Sequence, residues 1–278
     1  MPHLCPPELK QLYRQGRVLP FVGAGASIAV SWDHGGSKRT GPSWSEIVEQ
    51  ACKMLGYEDP ELLRMRGNDL QILEYFKIKK GNLAPLTNWL VRLMEADDHA
   101  IRQSRLHSAL AALDRCKIFY TTNYDDFLER ALTLAGRQAQ PITAERDMGF
   151  GSDAVQVVKF HGDFNSPENM VVSEAHYYDR MRLDGPMDLK LRSDLLGRAV
   201  VFIGYSFRDT NIAYLFRTVN AMFSMLPNSF SGKRAYIVFH NPSDFEFSLF
   251  NQRNIQIIPT FGNDRSTATS EILEDMAS

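Results

Sequence analysis

A histidine, an asparagine and an aspartate stand out first, because each closely follows a short apolar run. "VVKF" ends at His161 and Gly162. "KIFYT" runs into Thr122, Asn123 and Asp125 within "TTNYDD". An imidazole titrates near neutral pH, so His161 can act as a base. Two more turns share this placement. In "RVLPFVGAGAS", Gly23, Ala24, Gly25 and Ser27 form a turn whose glycines let the backbone approach a ligand. The helix start after it offers N–H groups to a phosphate. In "VVFIGYSFRDTNI", Gly204 and Ser206 follow another apolar run and Asp209 can cap a helix. Each turn also has a plainer reading: a tight strand-to-helix turn, a helix cap at Asn123 or Asp125, a hydrogen-bonded loop histidine, a βα turn. "GAGAS" is not a full GxGxxG, since Ile28 occupies the third glycine position, and no GK[ST] follows it.

The elements that must position these residues are legible as apolar runs. They are 17–22, 117–121, 155–160, 199–204, 235–239 and 255–261. Nearly continuous apolar character suits strands buried on both faces of a parallel sheet. Helical patterns follow two of them, in "YDDFLERALTL" and "DTNIAYLFRTVNAMF". The expectation is an α/β fold: a doubly wound, mostly parallel Rossmann-like sheet. Ligands of such sheets bind at the carboxyl ends of the strands, so the four turns are expected to face one crevice. Pro259 places the last strand at an edge.

The interval 44–115 is too long for one crossover and carries helical periodicity, so a helical lobe is expected there. It would be inserted in a core formed by 17–43 and 116–261, within one domain over 1–278. Segment 30–43 reads as a flexible loop and 161–185 as irregular. His107, in "RLHSALAAL", reads as a helical packing or surface residue.

Composition narrows the function classes. Lys plus Arg is 31 and Asp plus Glu is 33, a formal net charge of −2. That balance does not advertise nucleic-acid or membrane binding. Cys5, Cys52 and Cys116 are far apart, with no C-x-x-C pair. A cysteine zinc site of the usual spacing is excluded and a disulfide framework is not expected. No signal peptide or membrane-length apolar run is seen, so a cytoplasmic location is expected.

Taken in order, these motifs resemble the sirtuin family. "GAGAS" resembles its first nucleotide-binding turn and "TTNYD" its Thr-Gln-Asn-Ile-Asp motif. "FHGD" resembles its catalytic His-Gly, and "IGYSFRDTNI" its Gly-Thr-Ser turn. The absent zinc cysteines, Thr122 in place of Gln and the altered 30–43 segment resemble the zinc-less prokaryotic branch. The resemblance implies an NAD glycohydrolase of anti-phage defence with NAD as substrate and no metal. It implies that His161 acts as base, Asn123 holds the ribose or water, and Asp125 contacts the nicotinamide amide. Gly23, Ala24, Gly25 and Ser27 would meet the diphosphate and neighbouring ribose, with Thr122 beside them. Gly204 and Ser206 would line the adenosine end, and Trp44 would shield the site. It also implies a homo-oligomer or a separate sensor, such as a HerA-type ATPase or an Argonaute-type protein. An NAD-dependent protein deacylase and an NAD- or ADP-ribose-binding regulatory subunit are the alternatives. Nicotinamide release without an acylated peptide separates the first from the deacylase. Retained His161 and Asn123 argue against a pure binder.

Overall fold

The computed structural model describes residues 4–148, 153–180, 185–205, 220 and 234–278. The first elements are α1 (Pro7–Arg14), β1 (Val18–Val22), α2 (Ala24–Ile28), β2 (Ser31–His34) and β3 (Ser37–Thr40). Six helices follow: α3 (Trp44–Met54), α4 (Glu61–Arg64), α5 (Asp69–Lys80), α6 (Ala84–Leu93), α7 (Asp98–Gln103) and α8 (Arg105–Ala111). Then come β4 (Ile118–Thr121), α9 (Phe127–Leu134), β5 (Ala139–Ile142), β6 (Val155–Lys159), α10 (Glu174–Arg180) and α11 (Pro186–Asp194). The chain closes with β7 (Ala199–Ile203), β8 (Ala235–His240), α12 (Asp244–Gln252), β9 (Ile255–Thr260) and α13 (Arg265–Ala277).

Seven strands form one sheet in the order β5-β6-β4-β1-β7-β8-β9. Every pairing in it is parallel. The expected doubly wound α/β fold is therefore present. β1 is central, and its neighbours β4 and β7 lead to opposite halves, so the strand order switches there. That switch leaves a crevice beyond the carboxyl end of β1.

The period of two sorts β1 between two cores. Val18 and Val22 join a cluster with Leu9, Leu110, Leu132 and Leu273, which belong to α1, α8, α9 and α13. Leu19 and Phe21 join the opposite cluster, with Leu191 of α11 and Phe250 of α12. A third cluster joins Val48, Phe76 and Leu90 of α3, α5 and α6 to Met170 and Val172. Thus α3, α5 and α6 share a core of their own, whereas Ile101 of α7 and Leu110 of α8 pack against the sheet.

Three local features differ from the sequence reading. Segment 30–43 is not an irregular loop, because β2 and β3 pair as an antiparallel hairpin. Gly35 and Gly36, at φ 61° and 81°, supply the left-handed turn that such a hairpin needs. A seventh strand, β5, was hidden because it has four residues and only Ile142 is buried. Region 161–185 includes the helix α10. Pro259 does lie on an edge strand, β9, and the opposite edge β5 carries Pro141. The helix expected over "DTNIAYLFRTVNAMF" falls largely outside the described residues, as do Ser206 and Asp209.

Candidate active site at the strand ends

The turn after β1 packs directly on the turn after β7. The Gly23 N–H donates to the Ile203 carbonyl and the Gly25 N–H to the Gly204 carbonyl, both at 2.8 Å. A Cβ on Gly25 would lie 2.7 Å from the Gly204 carbonyl oxygen and 2.8 Å from its Cα. Gly204 itself sits at φ +75°, and its own Cβ would meet the Ala26 nitrogen at 2.9 Å. These glycines are therefore required by backbone-to-backbone packing. The Ala26 N–H bonds the Gly23 carbonyl. Three N–H groups of the turn are thus already engaged, while Ala24 is exposed at the mouth of the cleft.

The turn after β4 closes on the same place. Asn123 Nδ2 donates to the Gly23 carbonyl at 3.0 Å and to Ser27 Oγ at 2.9 Å. Ser27 Oγ donates to Asp125 Oδ2 at 2.6 Å. The other oxygen of Asp125 accepts from the Phe127 N–H at 3.2 Å, at the start of α9. Asp125 therefore serves the helix start and the site together, and it is 7% exposed. Thr122 Oγ1 lies 3.1 Å from the Tyr205 hydroxyl, which donates to the Val22 carbonyl at 3.1 Å.

His161 follows β6 and is 8% exposed. Its carbonyl accepts from the Val171 N–H at 2.9 Å. The Tyr177 ring meets the imidazole edge to face, with centroids 5.4 Å apart.

A cleft partly open to solvent joins these pieces. Ala24, Ser27, Thr122, Asn123, Asp125 and His161 all line it, and so does Trp44. Gly23, Gly25 and Gly204 lie behind this lining, in the packed turns. Its apolar side includes Ile47 and Leu90 of α3 and α6. Trp44 sits at the first position of α3, held by a reciprocal Ser43–Glu46 capping box. Among the described residues, no lysine or arginine lines the cleft, and Asp125 is its carboxylate.

Sequence reasoning missed Tyr124, Phe164, Tyr177, Tyr205 and Lys159. Tyr124 and Tyr205 stood inside the motifs already noted. Tyr177 lies sixteen positions beyond His161, and no local pattern ties the two. Lys159 is 1% exposed and ion-paired with Glu129 at 3.0 Å. Burial pushes the Glu129 carboxyl up, and the Lys159 ammonium pulls against that rise. Among the described residues, no group of three His, Cys, Asp or Glu side chains could hold a metal ion. None of their helices is long and apolar enough to cross a membrane.

A parallel sheet with a cleft at its switch point is the arrangement in which doubly wound α/β proteins bind their ligands. A family model described as a SIR2-like domain matches residues 117–258, half of the chain. The chain belongs to the SIR2-like family. That span takes in Asn123, Asp125, His161 and Gly204, but not the Gly23 turn. The chain is 28% identical over 244 residues to the NAD(+) hydrolase ThsA of Acinetobacter baumannii (strain 532279), covering 84% of this chain and 46% of that protein. It is 27% identical over 225 residues to defense-associated sirtuin 2 of Bacillus subtilis, covering 78% of this chain and 21% of the relative. The ThsA of Bacillus cereus (strain MSX-D12) is 26% identical over 208 residues, covering 73% of this chain and 40% of the relative. The chain thus matches less than half the length of each of these three relatives.

Proposed function

We propose that this chain cleaves the nicotinamide–ribose bond of NAD, giving nicotinamide and ADP-ribose. The observation that carries the proposal is the cleft's charge. Breaking this bond develops positive charge on the ribose, and nicotinamide is a good leaving group. A site for that step needs a carboxylate, a water-holder and a base, without competing cations. The lining supplies Asp125, Asn123 and His161, and none of its described residues is Lys or Arg. The names of the relatives support the same reading.

In this reading the adenosine end lies by Gly204 and Ser206. The diphosphate and neighbouring ribose lie by Gly23, Ala24, Gly25, Ser27 and Thr122. Asn123 orients a water or the nicotinamide ribose, and Asp125 faces the nicotinamide amide. Water adds to the ribose carbon as the bond to nicotinamide breaks, and its proton passes to His161 and then to solvent. Trp44 and the α3–α6 segment wall off the other side, where closure would exclude bulk water.

The name of one relative, defense-associated sirtuin 2, supports a biological role for this chemistry in defence. An unrestrained NAD hydrolase would poison its own cell, so activity is gated by homo-oligomerisation or by a separate sensor protein. HerA-type ATPases and Argonaute-type proteins are the sensor candidates. The setting is cytoplasmic anti-phage defence by NAD depletion, as in abortive infection.

The test is nicotinamide release from NAD, without peptide, over a range of protein concentrations. His161→Ala and Asn123→Ala run beside the native chain. Release that both substitutions abolish supports the proposal. Release that neither substitution changes would move the chemistry out of this cleft. Turnover only with an acyl-lysine peptide would replace hydrolysis by deacylation.

A further inference from the structure

We propose that Lys159 is a positioning residue, whose buried ammonium holds the Asn123–Asp125 turn against the end of the strand that leads into His161. The proposal rests on the glycohydrolase reading of the same cleft. Lys159 ends β6 and stands in register with Thr121, the last residue of β4. Its side chain is 1% exposed. Nζ donates to the Tyr124 carbonyl at 3.2 Å, to the Asp125 carbonyl, and to Glu129 Oε1 at 3.0 Å. An ammonium has three donors, so all three are engaged.

Both carbonyls belong to the stretch between β4 and α9, where no strand ladder serves them. The Tyr124 carbonyl also accepts from the Phe164 N–H at 3.3 Å, so the ammonium matters most at the Asp125 carbonyl. A buried carbonyl short of a partner is costly, and the ammonium fixes where this stretch can lie. Glu129, in the first turn of α9, balances the charge away from the cleft. Lys159 and His161 are two positions apart on the same run of chain, so movement of β6 moves both. The turn they face carries Asn123 and Asp125, whose side chains meet at Ser27. Lys159 therefore ties the base candidate to the water-holder without touching substrate. Methionine would fill the same space and lose both carbonyl bonds. Arginine would keep the donors on a longer, planar head.

The experiment uses the full chain as Lys159→Met, Lys159→Arg and Glu129→Gln. Steady-state nicotinamide release, ADP-ribose binding by thermal shift, and amide exchange over residues 124–129 are measured on each. Lys159→Met is expected to lose about 100-fold in kcat, the scale of a ~1 Å misplacement in an active site. KM and ADP-ribose affinity should stay within about threefold, because ground-state contacts remain. Exchange over 124–129 should quicken, and Lys159→Arg should recover part of kcat. Native kcat and native exchange in folded Lys159→Met would overturn the proposal. A raised KM at full kcat would overturn it too, by making Lys159 a binding residue. If Lys159→Met does not fold, Glu129→Gln decides, since it loosens the ammonium and leaves both carbonyls. A fall in its kcat at native ADP-ribose affinity supports the proposal, and no change in kcat or exchange sinks it. If the native chain releases no nicotinamide, the hydrolase reading fails by itself. Exchange over 124–129 then decides alone whether Lys159 holds the turn.

Discussion

Ser27 Oγ donates to Asp125 Oδ2 at 2.6 Å, which makes the turn after β1 and the turn after β4 one hydrogen-bonded unit. The same hydroxyl accepts from Asn123 Nδ2 at 2.9 Å. Ser27→Ala removes both bonds and leaves a buried carboxylate oxygen short of a partner. The expected cost is about 1–3 kcal/mol of stability, the penalty of an unsatisfied buried polar group. A urea titration of native and variant chains measures it. NAD turnover should fall as well, because Asn123 and Asp125 lose their common anchor. An unchanged midpoint would mean that water replaces the hydroxyl.

Gly25→Ala should destabilise the chain by about 1–3 kcal/mol, since its Cβ meets backbone rather than a movable side chain. The clash is with the Gly204 carbonyl oxygen at 2.7 Å. Gly204→Ala adds about 1–2 kcal/mol of left-handed strain to a similar clash. The two glycines touch, so the double variant should cost less than the sum of the singles. Thermal unfolding of all four chains completes the cycle. Strict additivity would show that the turns relax independently.

His107 predicts a pH dependence of stability. It lies in α8, 2% exposed, beside Ser104 Oγ at 2.9 Å. Burial pushes its imidazole down from 6.5 to about 4. Between those values the unfolded chain binds a proton that the folded chain refuses, so this contribution falls as pH drops from 6.5 towards 4. Below about 4 both states are protonated and the contribution is flat. The loss amounts to about 3 kcal/mol. Denaturant midpoints of the native chain and His107→Leu, compared at neutral and acid pH, isolate it. Parallel curves would remove His107 as the cause.

The cysteines should resist thiol reagents in the folded state. Cys5, Cys52 and Cys116 are unpaired and buried. Burial pushes Cys5 and Cys116 up to about 12 and raises Cys52 too. At pH 8 a thiol at 12 is ionised to about one part in ten thousand, and the thiolate is the reactive form. Three thiols should react after denaturation and almost none before it. Rapid reaction of one native thiol would reveal local opening.

Much of the sheet was legible because strands buried on both faces read as continuous apolar runs. β1 shows it, with all five residues buried. β5 escaped because three of its four residues are not buried, which leaves no run to see. The hairpin was readable in principle: Gly35-Gly36 is a two-residue turn signal, but its strands bury only Trp32. Lys159 stands inside the apolar run 155–160, and only its three partners give it a role.

The sequence by itself determined which chemical groups stand at the strand ends: two glycine turns, an Asn-x-Asp pair and a His-Gly. Local patterning suffices for that, because burial on both faces and helix starts leave short-range marks. Tertiary structure alone decided which of these groups touch. Ser27 and Asp125 are 98 positions apart, and they meet because β1 and β4 are parallel neighbours in register. It also decided that Gly25 is required by the close approach of the Gly204 backbone. Strand order and register are properties of the whole sheet, set by how its faces bury against helices, and no single window of sequence contains them.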